Sequence, residues 1–270
     1  MLRQNRWEKE WTILEKKELR YLERQREEKK PSALRQKLEE KIPEKLEDTL
    51  NAAFVKAFDL VFEKGTGIIE KTYNKEQQKM DYQVREYAAG LKANRKTVKA
   101  FGRQSQAARA KNLAISGVEG VGLGLLGVGI PDIPLFTAVI LKSVYEIALT
   151  YGFTYESEEE QWFILKIIET ALRKGAELEQ GNALLNGWID SQARGSHMGE
   201  KETAGKQQEQ RRRTADALSE ALLYMKFLQG IPVAGVAGGI SNTIYLKKIT
   251  DYAELKYKRR FLRTRLPEGR

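Results

Sequence analysis

The chain contains no cysteine in its 270 residues. That excludes disulfides, thiolate nucleophiles and cysteine metal sites, and it suits a reducing compartment. Histidine occurs once, as His197, which excludes multi-histidine metal centres and most histidine-based triads. The start, MLRQNRWEKEW, lacks the apolar core of a signal peptide, so the expectation is a cytoplasmic protein. Runs of alternating apolar and polar residues joined by hairpin turns are also missing. Apolar residues recur at helical spacing instead, which predicts an all-α fold. A phosphate-binding loop is nearly present in GTGIIEKT, residues 65–72, but Glu70 stands where a second glycine is needed. A carboxylate there repels phosphate, and no apolar strand leads in, so nucleotide binding is not expected.

What is present is charge, kept apart from apolar runs. Charged residues make up 31% and hydrophobic residues 41%, mean hydropathy is -0.55, and the net charge is +10 with a pI near 9.5. Such a balance favours an acidic partner. No nucleic-acid module is recognisable, and the basic residues sit mostly among acidic ones. The expected partner is an anionic membrane surface or a membrane protein, with no nucleic acid, cofactor or metal.

The longest apolar stretch runs from Leu113 to Gly152, and Glu119 and Asp132 are the only charges in its first two-thirds. Pro131-Asp132-Ile133-Pro134 interrupts it, because proline removes a donor and clashes with the preceding turn. The expectation is two packed half-segments meeting at an elbow formed by Pro131, Asp132 and Pro134. Gly117, Gly120, Gly124 and Gly127 share one helical face, so another backbone could approach closely. A flexible loop is the alternative reading of the same glycines. A second stretch, Phe227 to Leu246, carries no charge between Lys226 and Lys247. It repeats the design, with Pro232 as its elbow and Gly235 and Gly239 as a small-residue pair.

The remaining chain reads as polar helices. Residues 1–30 carry Trp7, Trp11, Leu14, Tyr21 and Leu22 on a narrow stripe, which predicts an amphipathic arm docked on the domain or on a membrane surface. A helix from about Glu44 to Lys64 has Leu50, Phe54 and Phe58 on its buried face. Arg95, Lys96, Lys99, Arg103, Arg109 and Lys111 form a cationic run just ahead of the first apolar stretch, as a cytoplasmic membrane interface selects. Gly152 is a natural helix stop, and Ser157 with Glu160 forms a capping box. The helix it opens is expected to continue past Leu172 to Leu178, bent or divided by Gly175 and Gly181. Residues 190–214 show no apolar stripe, which predicts a mobile loop. The tail offers Lys256, Lys258, Arg259 and Arg260 as a basic surface for anionic lipid.

The glycine-rich run before Asp132-Ile133-Pro134-Leu135, then Tyr151-Gly152-Phe153, then Ile231-Pro232-Val233-Ala234-Gly235 with Gly238, Gly239 and Asn242, resembles the EcsC family of bacterial proteins. The likeness covers roughly Leu46 to Arg260 and leaves residues 1–30 outside. The elbow pairing is also similar to helical membrane-associated domains appended to Era-like GTPases, although no GTPase motif occurs here. The EcsC family is named for a protein encoded beside an ABC-type exporter. The resemblance implies association with membranes or transport and no established biochemical activity.

Two domains follow as expectations: the charged helix 1–30, and a helical domain 31–270, a multi-helix bundle with two Gly/Pro-rich apolar hairpin segments. The leading functional expectation is a non-enzymatic accessory protein, peripheral to the inner face of the cell membrane and linked to an ABC-type transport system. The alternative is a soluble helical protein with a pocket for a lipid or apolar peptide, lined by the same segments. Catalysis would need Asp132, Tyr145, Glu146 or Glu160 to converge. Asp132, Glu146 and Glu160 have simpler readings, as a turn former, the partner of Lys142 and a cap.

Overall fold

Helical periodicity is realised as helices across the described residues. A computed structural model describes residues 2–26, 39–63, 67–91, 95–115, 132–195, 200–229 and 238–266, and no strand occurs among them. In chain order these residues form α1 (Leu2–Arg26), α2 (Glu44–Glu63), the short α3 (Gly67–Glu70), α4 (Lys75–Leu91) and α5 (Arg95–Ile115). Then come α6 (Asp132–Thr150), α7 (Glu158–Leu172), α8 (Gly175–Ala193), α9 (Glu200–Gln229) and α10 (Gly238–Arg263). The all-α, multi-helix bundle expected from periodicity is what the chain builds.

α6 sits at the centre, between α5, α10 and α2. It is the one described helix long and apolar enough to cross a membrane, yet 83% of that 18-residue window is buried inside the bundle. Packing accounts for its composition: Ile140, Leu141, Val144 and Ile147 are wholly buried, each contributing roughly 1.5–3 kcal/mol. α6 ends as its sequence dictates. Phe153 N–H donates to the Ala148 carbonyl at 3.0 Å and Gly152 N–H to Leu149 at 3.0 Å, a pairing that closes a helix through a left-handed residue. Gly152 supplies it with φ +82°, and a Cβ there would lie 2.2 Å from the Tyr82 ring.

α7 opens as expected, with the Ser157 hydroxyl accepting from Glu160 N–H at 3.2 Å. Glu158, Glu159 and Glu160 complement the positive end of the helix dipole. The division expected at Gly175 occurs: the chain breaks at Arg173 and Lys174, and α8 restarts at Gly175, where φ is +51°. α7 and α8 then approach so closely that a Cβ on Gly181 would meet the Thr170 hydroxyl at 2.6 Å.

One expectation is corrected here. Much of the stretch 190–214 is helical: residues 190–193 close α8, and 200–214 belong to α9. α9 lacks an apolar stripe in this part because it packs through polar groups. The Thr214 hydroxyl reaches the Leu165 carbonyl at 3.1 Å, and Gln210 donates to Glu169 at 2.5 Å. The N-terminal arm takes the first of its two expected placements, docked on the domain. Trp7 and Leu14 are buried, and α1 packs on α10 and α8.

Candidate functional site

Helix directions decide where the apolar stretches attach. From Phe101 to Ser105 along α5, the partners on α10 step back from Phe261, 4.7 Å between ring centroids, to Glu254, which accepts from Ser105. α5 and α10 are therefore antiparallel. α6 is antiparallel to α5 as well: Arg85 of α4 bridges Gln104 to the Thr150 carbonyl, while Ala107 shares a wall with Glu146. On the other side, Glu160 of α7 meets Tyr257 and the Leu172 carbonyl meets Lys248, so α7 also opposes α10. α9 runs alongside α7 in the same direction, pairing Gln207 with Gln161 and Glu220 with Arg173.

At 1.5 Å per residue, Ile115 lies about 15 Å beyond Ser105, Gly238 about 24 Å beyond Glu254, and Asp132 about 27 Å beyond Thr150. Gln229 lies about 14 Å beyond Glu220, level with Gly238. The last residue of α5, the first of α6, the last of α9 and the first of α10 thus stand at one end of the bundle. The two uncharged stretches are both fastened there.

Among the predicted interface residues, Gly117, Gly120, Gly124, Gly127, Pro131, Pro232 and Gly235 lie outside the described residues. Asp132 opens α6. Pro134 is buried in its first turn, where a missing N–H leaves no bond unmade. Gly239 falls in the first turn of α10.

The predicted basic surface of the tail is overturned. Lys256 is wholly buried, with its ammonium 2.6 Å from Glu18 Oε1 of α1 and 2.8 Å from Asn186. Arg259 joins the same carboxylate at 3.1 Å and stacks over Trp11 at 4.7 Å. Lys258 pairs with Glu10 at 2.8 Å. Arg260 turns inward to Glu160 at 2.5 Å, between the rings of Phe153 at 4.2 Å and Trp188 at 4.8 Å. These cations hold helices together because an ion pair removed from water is kept only with partners on every side. Burial alone would push the Glu18 carboxyl up, but Lys256, Arg259 and Asn186 outweigh it and hold its pKa at about 2.

Exposed cations gather elsewhere, on α1 and α5. A cleft of about 780 Å³ opens between α1, α5 and α10, with Lys17, Arg20 and Arg24 on one wall and Lys99 and Arg103 on the other. All five are exposed. A second cleft, of about 640 Å³, lies on the other side of α5, where Arg85, Gln78 and Glu146 face Ala100 and Ala107. The α1 cations escaped the sequence reading, although their three-and-four spacing along the flank of the tryptophan stripe was a usable signal.

Of the candidate catalytic groups, Tyr145, Glu146 and Glu160 are each committed to a separate structural task, and the Asp132 side chain lies outside what is described. Glu160 accepts from Tyr257 at 2.7 Å and from Arg260, and burial pushes its carboxyl up. Glu146 accepts from Gln78 at 3.1 Å. Tyr145 stacks on Tyr155 with centroids 4.1 Å apart. Tyr155 belongs to a chain in which Tyr73 donates to it and it donates to Glu70, 2.7 Å each. Lys75 then bridges Glu70 and Glu156 at 2.7 and 2.6 Å. Among the described residues, no three acidic or histidine side chains are grouped to hold a metal ion.

No curated protein and no solved structure matches the chain. A family model, described as the EcsC protein family, matches residues 7–262. The match begins inside α1, so the arm expected to fall outside the family region falls within it, in keeping with the Glu18–Lys256 contact. With nearly its whole length matched, the chain belongs to the EcsC family.

Proposed function

We propose that the protein is a non-enzymatic accessory protein held against the anionic inner face of the cell membrane, its apolar end foremost. The observation that carries this reading is the shared attachment of the two uncharged stretches. Residues 116–131 carry one charge, Glu119, and residues 230–237 carry none. The end of the bundle at which both stretches attach is the greasy pole of this reading, and apolar burial contributes roughly 25 cal/mol per Å² removed from water. In sequence the two stretches are flanked by cations, Arg109 and Lys111 before the first and Lys226 and Lys247 on either side of the second. Such flanking cations attract anionic head groups at about 1 kcal/mol per cation. The family's namesake, encoded beside an ABC-type exporter, makes a transport complex the partner to seek.

Flotation with liposomes tests the proposal. The full chain should rise with vesicles containing phosphatidylglycerol at low salt, resist salt less than carbonate-resistant integral proteins do, and ignore neutral vesicles. A protein that stays at the bottom of the gradient with both vesicle types removes the reading.

A second reading, a pocket for a lipid or apolar peptide, is favoured by one observation. The cleft between α4, α5 and α6 has the small side chains of Ala100 and Ala107 in its wall. Native mass spectrometry showing a retained lipid, with no flotation, would support it.

A further inference from the structure

The cleft between α1, α5 and α10 is unbalanced in charge in a way the bundle itself does not need. Three acidic residues line it, and all three are engaged by the fold: Glu10 by Lys258 at 2.8 Å, Asp251 by Lys247 at 2.5 Å, and Glu254 by Tyr151 at 2.5 Å and by Ser105. The five exposed cations in its walls, Lys17, Arg20 and Arg24 opposite Lys99 and Arg103, form no ion pair with any described residue. Successive members of each row are helix-face neighbours, about 5–6 Å apart at Cβ. Like charges so close repel, and an unfilled cleft between two such rows draws in an anion.

The geometry points to a binding site for a compact ligand bearing two or more phosphate groups. Two cationic rows facing each other clamp such a ligand from both sides, and arginine forks match phosphate oxygens in pairs. A volume of about 780 Å³ falls within the usual size of small-ligand sites, roughly 300–1,000 Å³. Nucleic acid is the poorer match. Base recognition on single strands uses open aromatic faces, whereas Tyr21 is packed on Tyr252 at 5.2 Å and Trp11 is covered by Arg259. This site is on the side of the bundle and does not depend on which end meets a membrane.

Isothermal titration of the full chain with inorganic tripolyphosphate tests it. One saturable site is expected. R20Q/R103Q should weaken binding by about tenfold per cation removed, and K16Q/R212Q, exposed positions outside the cleft, should leave it unchanged. Equal losses in the two double variants, no saturable binding, or an oligonucleotide binding about tenfold more tightly than tripolyphosphate would each overturn the assignment. Vesicles containing cardiolipin, whose headgroup bears two phosphates, identify the source. Competition with tripolyphosphate assigns the site to a lipid headgroup, and its absence assigns it to a soluble phosphate compound. Failure here leaves the flotation result standing, and failure of flotation leaves tripolyphosphate binding standing, so the two readings fail separately.

Discussion

The Lys256 ammonium lies 2.6 Å from Glu18 Oε1, with Lys256 wholly buried and Glu18 5% exposed, and so joins α1 to α10 across 238 positions of sequence. Asn182 and Asn186 accept its remaining protons, and Arg259 shares the carboxylate. Replacing Glu18 with Gln removes the counterion of Lys256, whose pKa burial already holds down at about 8, so the lysine must either stay charged unpaired or give up its proton. The expected loss is about 3–5 kcal/mol at neutral pH, read from urea unfolding. The acid limb gives an independent check. Glu18 titrates in the folded protein at about 2, below its ordinary 4.5. Its contribution is therefore complete above pH 4.5 and is lost as pH falls toward 2. The difference between wild type and E18Q should shrink across that window; a difference that stays constant shows that the ion pair is not its source.

Arg260 makes a similar contrast with the exposed arginines. Its guanidinium is enclosed by Glu160, Phe153, Trp188 and Phe163. Arg260→Ala should cost about 3–5 kcal/mol by leaving Glu160 buried without its partner. Arg260→Lys keeps the charge but loses the planar stacking, and about 1–2 kcal/mol is expected. Arg20→Ala, on the exposed face of α1, should stay within about 0.5 kcal/mol of wild type. Denaturation midpoints that rank Arg20 with Arg260 would contradict the inward placement of the tail.

Gly152→Ala meets two obstacles together: a left-handed φ of +82° and the Tyr82 ring 2.2 Å from the new methyl. Left-handed strain costs about 1–2 kcal/mol and overpacking about 1–3 kcal/mol. The expected total is about 3 kcal/mol by thermal or urea unfolding. Pairing the change with Tyr82→Ala removes the collision and retains the strain, so the double variant should lose less than the sum of the singles. Strict additivity would mean that the two residues do not touch.

Which parts of the fold could be read in advance follows from the range of the interactions involved. Gly152, Ser157 and the Leu50-Phe54-Phe58 face act within one or two helical turns, and all three take the roles their spacing indicates. The amino-terminal half of α9 is helical yet unpatterned, because Gln207, Gln210 and Thr214 are buried against polar partners on α7. A polar contact leaves no apolar period to detect. The tail failed for a related reason. Its cations look solvent-facing until carboxylates 100 and 241 positions away are brought beside Arg260 and Arg259. The α1–α5 cleft likewise forms only when two distant basic rows are packed on either side of α10.

The absence of cysteine makes the greasy pole open to direct labelling. Val128→Cys in the first uncharged stretch and Val236→Cys in the second can each carry a polarity-sensitive dye, with Gln208→Cys on the exposed face of α9 as the reference. α5, α6, α9 and α10 bring both stretches to the same end, and a membrane that meets one should meet the other. Vesicles containing phosphatidylglycerol should shift both pole labels to the blue and leave the reference label unmoved. A single-label response is incompatible with joint docking of the pole. Equal shifts at all three positions would show general adsorption, in which the antiparallel arrangement of α5 and α10 has no part.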